Sequence, residues 1–378
     1  MARQRLISAA AESPQEEAQT LSLRPTKLGD YVGQPRLVEK LTITLEAVRG
    51  RGEPMEHVLL HGPPGLGKTT LAHIIAREMD SHVTVTSGPA ITRPTDLVGT
   101  LTKLQPRDVL FIDEIHRLSP VIEEYIYPAM EDFRIDVTVD QGMHAKTITL
   151  PLQPFTLIGA TTRAGLLSGP MRSRFGLTHN LEFYGEADLL KILQRSAGLM
   201  GLGAAGRESD RAIERSSDRD EAGGADAAGA GSLDRSITRS LAAIAKRSRG
   251  TPRVANRLLR RVRDFAQVRS DGSLTPELVD EALRLEGVDA LGLDELDRRY
   301  LKTLGTTYDG GPAGLEAVAA TMGEDSGTLE EMVEPFLLQI GFLARTRRGR
   351  QLTRRGAQHV GIQLKERDDD DSLFESEA

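Results

Sequence analysis

Apolar runs separated by polar, breaker-rich segments divide the first half of the chain into strand and helix candidates. Short runs rich in β-branched and apolar residues lie at 57–61, 83–86, 109–112, 155–160 and 180–183. The segment 71–79 instead has helical apolar spacing without a breaker. Apolar strands that alternate with helices indicate a parallel sheet buried on both faces. We therefore expect an α/β domain here.

The segment 134–150 shows a different period. Apolar and polar residues alternate on both sides of Asp140-Gln141-Gly142, and Ile135 and Val137 are matched by Ile148 and Leu150. A period of two around a glycine-containing turn predicts a β-hairpin, inserted here between two core strands. Such a hairpin either caps a sheet edge or docks a partner, and the pattern leaves both open.

A helical region follows and is interrupted once. Helices are predicted at 186–199, again from near Ser236, and at 254–268, where the helix is strongly basic. The intervening 203–232 consists mostly of Gly, Ala, Ser and charged residues without an apolar period. Such a segment buries too little apolar surface to offset its ordering entropy, so we expect a disordered insertion.

The last predicted domain starts near Gly287. Helices at 295–304, 315–322 and 328–340 precede a strand, a glycine-containing turn and a strand at 342–353, which is a winged-helix pattern. The third helix contains three glutamates and neither Lys nor Arg, whereas six arginines lie between Arg345 and Arg355. Phosphates would repel that helix, so we expect the wing to contact DNA, mainly at the DNA backbone.

Composition narrows the class of protein. The 378 residues are 39% hydrophobic and 27% charged, which is ordinary for a globular protein of two or three domains. The lack of cysteine excludes disulfides, thiolate zinc sites and cysteine nucleophiles. The net charge of −7 argues against a uniformly basic nucleic-acid-binding coat. The first twenty residues have no secretory pattern, so we expect a cytoplasmic protein.

The run 62–70, Gly-Pro-Pro-Gly-Leu-Gly-Lys-Thr-Thr, fits the phosphate-binding pattern G-x-x-x-x-G-K-[ST] between a strand and a helix. Its glycines let backbone N–H groups turn toward phosphates at the start of the helix. Lys68 is then expected to reach the β and γ phosphates of ATP. The Thr69 hydroxyl is expected to bind Mg²⁺, which takes few protein ligands beside water and phosphate oxygens.

Polar residues at the ends of two later strands complete a hydrolytic site. Asp113 and Glu114 follow the strand 109–112, at the edge of the sheet where α/β proteins bind ligands. Asp113 is expected to support the magnesium shell through water, and Glu114 to deprotonate the attacking water. Thr161 or Thr162, at the tip of the strand 155–160, is expected to contact the γ-phosphate or that water.

Two arginines, Arg172 and Arg174, lie in a predicted loop before the last strand. Arginine suits bidentate stabilisation of a transferring phosphoryl group. If a neighbouring subunit supplies it, hydrolysis depends on assembly.

With these motifs the chain resembles the AAA+ ATPases and, among them, the bacterial motors of Holliday-junction branch migration. The resemblance is carried by 62–70, 113–118, 159–165, 174–176 and 250–253, within 23–202 and 233–362. It implies an α/β P-loop AAA+ large domain at 1–184, with a parallel sheet and helices on both faces. A small helical lid domain at 185–286, a C-terminal winged-helix domain at 287–365 and an acidic tail at 366–378 would follow.

The resemblance also implies individual roles. The nucleotide-binding positions would be Leu23, Arg24, Gly65, Gly67, Lys68, Thr69, Thr70, Glu131, Asp132, Phe133 and Tyr184. Thr161 or Thr162 would be the first sensor, Arg174 a finger acting on a neighbouring subunit, and Arg253 the second sensor. Arg345 and Arg350 match DNA-contacting positions of the wing.

Function and partners follow from the same resemblance. It implies a homohexameric ATPase that translocates DNA, with ATP and Mg²⁺ as ligands, RuvA docking at 134–150 and RuvC as a further partner. A clamp-loader-type ATPase is disfavoured by the lack of zinc-ligating cysteines and by the wing. A nucleotide-regulated DNA-binding factor without motor action is disfavoured by Glu114 and Arg174, which such a regulator does not need.

Overall fold

The computed structural model describes residues 23–138, 147–202 and 226–364. They fall into two compact units, divided along the chain between Ala282 and Leu283. Within those residues, no helix is both long and apolar enough to cross a membrane. The turn of the predicted hairpin, most of the predicted insertion and the acidic tail lie outside the described ranges.

Parallel strands form the centre of the first unit. Its described strands are β1 (Val58–His61), β2 (Val83–Ser87), β3 (Val109–Asp113), β4 (Arg134–Thr138), β5 (Thr147–Pro151), β6 (Thr156–Thr161) and β7 (Leu177–Asn180). Five of them form one parallel sheet in the order β2-β3-β6-β1-β7. The residues of β6 and the first four of β3 are buried, because central strands are covered on both faces. The expected α/β sheet is confirmed.

The strands β4 and β5 pair outside this sheet. They are antiparallel, with Ile135 opposite Leu150 and Val137 opposite Ile148, as the alternation predicted. Ile135 is fully buried in the core, whereas Ile148 is 41% exposed. The base of the hairpin therefore packs on the domain, and its second strand presents an apolar side chain to solvent.

The last core strand was predicted at 180–183, and this was wrong. The strand β7 spans Leu177–Asn180 and pairs with Val58–His61 of β1. The polar residues of β7 do not give an apolar strand pattern, since an edge strand needs little apolar character on its outer side. Leu181 is fully buried beyond the strand, and its N–H donates to the His61 carbonyl at 2.8 Å.

Helices flank the sheet. They are α1 (Pro35–Arg51), α2 (Lys68–Glu78), α3 (Pro94–Leu101), α4 (Pro120–Glu131) and the short α5 (Gly169–Ser173). Single 3₁₀ turns lie at Leu28–Asp30, Gly88–Ala90, Ile115–Arg117 and Ala164–Leu166. Arg172 therefore lies in a helix rather than in the predicted loop, and Arg174 caps its C-terminal end. The helix starts where the Ser168 hydroxyl accepts the Met171 N–H, a local capping signal.

Four further helices follow: α6 (Glu186–Leu199), α7 (Asp226–Lys246), α8 (Pro252–Arg269) and α9 (Pro276–Leu285). The helix α6 has the predicted bounds. The helix α7 begins ten residues before Ser236, so 226–232 is helical and the expectation of disorder there was wrong. Alanine, the residue of highest helix propensity, occurs three times in 226–232, which offsets its two glycines.

The second unit has the expected winged-helix elements. They are α10 (Glu295–Thr307), α11 (Leu315–Met322), α12 (Ser326–Thr328), α13 (Glu334–Gln339), β8 (Leu343–Thr346), β9 (Gly349–Leu352) and α14 (Arg354–His359). A π-helical turn, Leu329–Val333, joins α12 to α13 within the predicted third helix. Pro335, which has no N–H to donate, follows this turn and favours a local change of helical register.

Candidate functional site

The phosphate loop connects β1 to α2. Gly62, Gly65 and Gly67 have φ angles of +139°, +81° and +99°, which side chains rarely adopt. A Cβ atom at Gly62 would also collide with the Leu181 carbonyl oxygen. The loop therefore needs glycine, and it leads directly into the N-terminus of α2, where an anion is favoured.

Lys68 is turned into its own loop. Its side chain is buried, and Nζ donates to the carbonyl oxygens of Gly62 and Pro63 at 2.8 and 3.0 Å. Burial lowers the pKa of Lys68 to about 8, against the opposing effect of the Asp113 and Glu114 carboxylates. A bound phosphate would give this ammonium a better acceptor than the two carbonyls.

The two acidic residues lie at the same edge of the sheet as the loop. Asp113 ends β3, which neighbours β6, and the Gly62 N–H donates to the carbonyl of Thr161 at the end of β6 (3.2 Å). Glu114 follows with φ of +48°, an unusual angle for a residue with a side chain. Its N–H donates to Asp113 Oδ1 at 3.0 Å, so the two acids are held together.

The structure distinguishes the two candidate threonines. Thr162 Oγ1 donates to Glu114 Oε2 at 3.2 Å. Thr161 is fully buried, and its hydroxyl lies 2.8 Å from His116 Nδ1 and accepts the Arg163 N–H at 2.9 Å. Only Thr162 thus contacts the acid directly.

His116 belongs to this site and was not singled out from the sequence. Its Nδ1 lies 3.2 Å from Glu114 Oε2, and the same nitrogen contacts Thr161. Burial, followed by the charges of Arg163 and Arg117, lowers the pKa of His116, which favours the neutral imidazole. Its place two residues after Glu114, on the turn Ile115–Arg117, was the available signal.

Two tyrosines border the loop on its other side. The hydroxyls of Tyr31 and Tyr184 lie 2.8 Å apart, and that of Tyr184 donates to the Leu66 carbonyl at 3.3 Å. Burial raises the pKa of Tyr184 to about 12 and also raises the pKa of Tyr31. Both hydroxyls therefore stay protonated near neutral pH. Tyr31 was not among the predicted site residues, because a lone tyrosine in a loop carries no pattern.

Three further predicted residues, Leu23, Arg24 and Arg253, have contacts of two kinds. Arg195 donates to the carbonyls of Leu23 and Arg24 at 3.0 and 3.4 Å, which fixes the segment entering the domain. The Arg253 N–H, at the start of α8, donates to the Gly65 carbonyl at 3.3 Å. The lid helix therefore directly abuts the phosphate loop.

Arg174 has its partners elsewhere on its own subunit. Its guanidinium lies 4.1 Å from the centre of the Tyr127 ring, and Nη2 lies 3.1 Å from Glu131 Oε1. Nη1 donates to the Pro170 carbonyl at 2.7 Å, and Nε is buried with no hydrogen-bond partner among the described residues. These contacts hold the guanidinium between α4 and α5.

The run 131–133 lies near Arg174, and none of its contacts given below is with the phosphate loop. Glu131 is the ion-pair partner of Arg174, and Asp132 caps α4. The Phe133 ring packs edge-on against Phe155, with centroids 5.9 Å apart. The ion pair, the cap and the ring contact thus join this run to Arg174, to α4 and to the core beside Phe155.

The donor set suits magnesium. Among the residues described, no three His, Cys, Asp or Glu side chains cluster as a closed metal cage. Thr69 at the start of α2 and Asp113 at the end of β3 offer one hydroxyl and one carboxylate. Mg²⁺ beside a nucleotide uses few such protein groups, so these residues fit it.

The wing arginines are internally paired. Arg345 and Arg350 lie opposite each other on β8 and β9, over the fully buried carboxylate of Glu334. Arg345 donates through Nε and Nη2 to Oε2 at 2.8 and 2.5 Å, and Arg350 through Nε to Oε1 at 2.9 Å. The Tyr300 hydroxyl donates to Oε1 at 2.7 Å. Burial and the Glu334 charge raise the pKa of Tyr300, so it remains a donor.

This pairing changes the charge expected for the wing. Glu330 Oε1 also lies within 3.9 and 3.7 Å of the Nη2 atoms of Arg345 and Arg350. Two arginines thus face two glutamates, and the cluster is formally neutral. At the hairpin turn, Arg347 and Arg348 are exposed and have no carboxylate within ion-pair distance in the described part of the chain.

Comparisons with known proteins agree on one family. Three family models match: the Holliday junction DNA helicase RuvB P-loop domain at residues 23–181, the RuvB AAA lid domain at 227–289 and the RuvB C-terminal winged helix domain at 290–361. The chain is 43% identical to the Thermotoga maritima RuvB Holliday junction branch migration motor, with a TM-score of 0.75, covering 91% of this chain and 100% of that one. A mutant of Thermotoga maritima RuvB gives 44% identity and a TM-score of 0.76, over 91% and 99% of the two chains.

The buried Glu334 gives a stability prediction. Replacing Arg345 and Arg350 together by Ala would leave this carboxylate buried without a counter-charge, which costs about 3–5 kcal/mol for fully buried pairs. We expect a loss near the lower end, since both guanidiniums keep some contact with solvent. Denaturant unfolding followed by circular dichroism measures it.

The control is Arg347→Ala with Arg348→Ala, which removes the same charge from exposed positions and should leave stability nearly unchanged. Adding Glu334→Gln to the first double variant should restore part of the loss. If the two double variants unfold alike, the pairing does not stabilise the wing.

Proposed function

This chain belongs to the RuvB family of Holliday junction DNA helicases, and from that premise we propose that it is an ATP-driven motor for branch migration of four-way DNA junctions. The observation that carries the proposal is the convergence of Lys68, Asp113, Glu114 and Thr162 at one edge of the sheet. A regulator that only senses nucleotide needs no such water-activating arrangement. The clamp-loader alternative is not favoured, because the lid and winged-helix models also match.

ATP binding would replace internal contacts of the loop. Lys68 would exchange the Gly62 and Pro63 carbonyls for oxygens of the β and γ phosphates. Thr69 and Asp113 would hold Mg²⁺, which neutralises charge developing on the phosphates when it is bound. Arg253 would report on the nucleotide through its backbone contact with Gly65.

Hydrolysis would depend on Glu114 as the proton acceptor for the attacking water. Its Oε2 accepts from Thr162 and lies near His116, which together limit the rotation of the carboxylate. We assign the first-sensor role to Thr162, because its hydroxyl contacts this acid. Thr161 would act as a support through His116.

Assembly into a homohexameric ring would complete each site. Arg174 would leave Tyr127 and Glu131 and reach the nucleotide of the adjacent subunit, where Asp132 and Phe133 would border the same interface. Arginine supplied in this way stabilises charge on the transferring phosphoryl group. Hydrolysis would then occur only where two subunits meet.

The β4–β5 hairpin and the wing would supply the contacts with partner proteins and with DNA. The β4–β5 hairpin, with Ile148 exposed, would dock RuvA, and RuvC would join the assembled complex. The wing would hold the DNA backbone through the exposed Arg347 and Arg348 and through the Arg345–Arg350 pair.

The deciding experiment is conversion of a synthetic four-way junction into duplexes. The full chain with ATP, Mg²⁺ and RuvA should convert it, and the same mixture without ATP should not. Hydrolysis that is never accompanied by junction conversion, at any ratio of RuvA, would contradict the motor function.

Glu114→Gln tests the catalytic base. The variant should bind ATP normally, since Lys68 and Thr69 remain, but should hydrolyse it about 100- to 10,000-fold more slowly. Nucleotide binding by fluorescence and phosphate release measure the two steps. Glu124→Gln, the same change at an exposed position of α4, should leave both unchanged, and near-normal turnover by Glu114→Gln would rule out its assignment.

Mixing two inactive variants tests the finger across the interface. Arg174→Ala retains Glu114, and Glu114→Gln retains Arg174, so a mixed ring can rebuild complete sites between different subunits. With random assembly of equal amounts, roughly a quarter of the sites would be complete. Phosphate release should therefore recover in the mixture.

The matched control replaces Arg174→Ala in that mixture with the double variant Glu114→Gln/Arg174→Ala, which cannot rebuild a site. Arg172→Ala should be active alone. No recovery in the first mixture, under conditions where subunits exchange, would place Arg174 in its own subunit's site.

A further inference from the structure

Two glutamates face the Arg345–Arg350 pair from different depths. Glu334 begins α13 and is fully buried, whereas the side chain of Glu330, in the π-helical turn before it, is 32% exposed. They are four positions apart in the chain, so they lie on one side of a helix. The pair therefore has one carboxylate behind it and another at its solvent-facing rim.

Both carboxylate oxygens of Glu334 accept hydrogen bonds from the cluster. Oε2 accepts two N–H groups of Arg345, and Oε1 accepts Arg350 Nε and the Tyr300 hydroxyl. Each guanidinium carries five N–H donors, so several remain directed away from Glu334. The shared carboxylate thus offsets the repulsion of the two cations and fixes their orientation.

Glu330 makes a different contact. Its Oε1 lies 3.9 and 3.7 Å from the Nη2 atoms of the two arginines, which is within ion-pair range but longer than a hydrogen bond. It therefore adds a second negative charge beside Nη2 atoms that already donate to Glu334 Oε2. Any anion arriving from solvent would meet the charge of Glu330.

We propose that Arg345 and Arg350 form a preassembled seat for one phosphate of the DNA backbone, with Glu334 as the positioning residue and Glu330 as an internal competitor for the seat. This inference rests on the proposed function, since it assumes that the wing grips DNA. It assigns opposite effects to two carboxylates only four residues apart.

Preassembly and competition each have a physical basis. Two guanidiniums held side by side lose little side-chain entropy when a phosphate binds, and their forked donors match its oxygens. Glu330 weakens the same event by electrostatic repulsion, because its partly exposed carboxylate lies within ion-pair distance of both guanidiniums. A motor that must release each phosphate to advance along a duplex benefits from such a weakened contact.

The test measures duplex binding by the full chain, using fluorescence anisotropy with a non-hydrolysable ATP analogue over a series of salt concentrations. Glu330→Gln should tighten binding about threefold to tenfold and steepen the slope of log affinity against log salt by up to about 0.9. Glu334→Gln should weaken binding about tenfold, since the arginines lose their alignment.

Glu316→Gln is the matched control, because it removes the same charge from an exposed position of α11. Should Glu334→Gln fold poorly, Tyr300→Phe removes one hydrogen bond from the same carboxylate and should give a smaller loss of affinity. Glu330→Gln, at a partly exposed position, carries the test in either case.

The outcomes separate this inference from the proposed function. If the wild-type chain binds duplex DNA and Glu330→Gln behaves like Glu316→Gln or binds more weakly, the competitor role is overturned and the motor function stands. Equal losses in Glu330→Gln and Glu334→Gln would show a merely structural cluster. If the wild-type chain shows no salt-dependent binding, the wing does not bind the DNA backbone. The proposed function is then contradicted, and this inference is overturned with it.

Discussion

The parallel pairing of β1 and β3 on the two sides of β6 is the constraint on which the nucleotide site depends. It brings the carboxyl ends of three strands to one edge, where Gly62 is hydrogen-bonded to Thr161 and Asp113 ends the neighbouring strand. Residues about fifty and a hundred positions apart thereby become neighbours. Because β3 and β6 are buried on both faces, the sheet itself places the carboxylates at this edge before any nucleotide arrives.

The cations proposed to bind ligands share a second feature, which is a substitute partner on their own chain. Lys68 donates to loop carbonyls, Arg174 contacts Tyr127 and Glu131, and the wing arginines share Glu334. An unpaired charge is costly to bury, so a subunit without ligand must supply such partners. Binding of nucleotide, a neighbouring subunit or DNA, as proposed, would then exchange one set of contacts for another.

Local patterns predicted some elements well and failed where tertiary contacts decide. The hairpin register followed directly from alternation, and α6 from its apolar spacing. The strand β7 was predicted three residues too late in the chain. Its edge position tolerates polar side chains, and the buried Leu181 lies beyond the strand although it fits an apolar strand pattern. The helix α7 begins earlier than expected, since low apolar content in 226–232 does not prevent a helix from extending.

The sequence by itself determined the chemistry: the glycines of the phosphate loop, its lysine and threonine, and an acidic pair at a strand end are short-range patterns whose meaning depends on residue type and spacing. Only the tertiary structure decided which groups meet. It selected Thr162 over Thr161 as the neighbour of Glu114, added His116 and Tyr31, and paired two of the wing arginines, Arg345 and Arg350, with the buried Glu334. The reason is that hydrogen bonds and charge compensation act between side chains distant in sequence, and no local period records them.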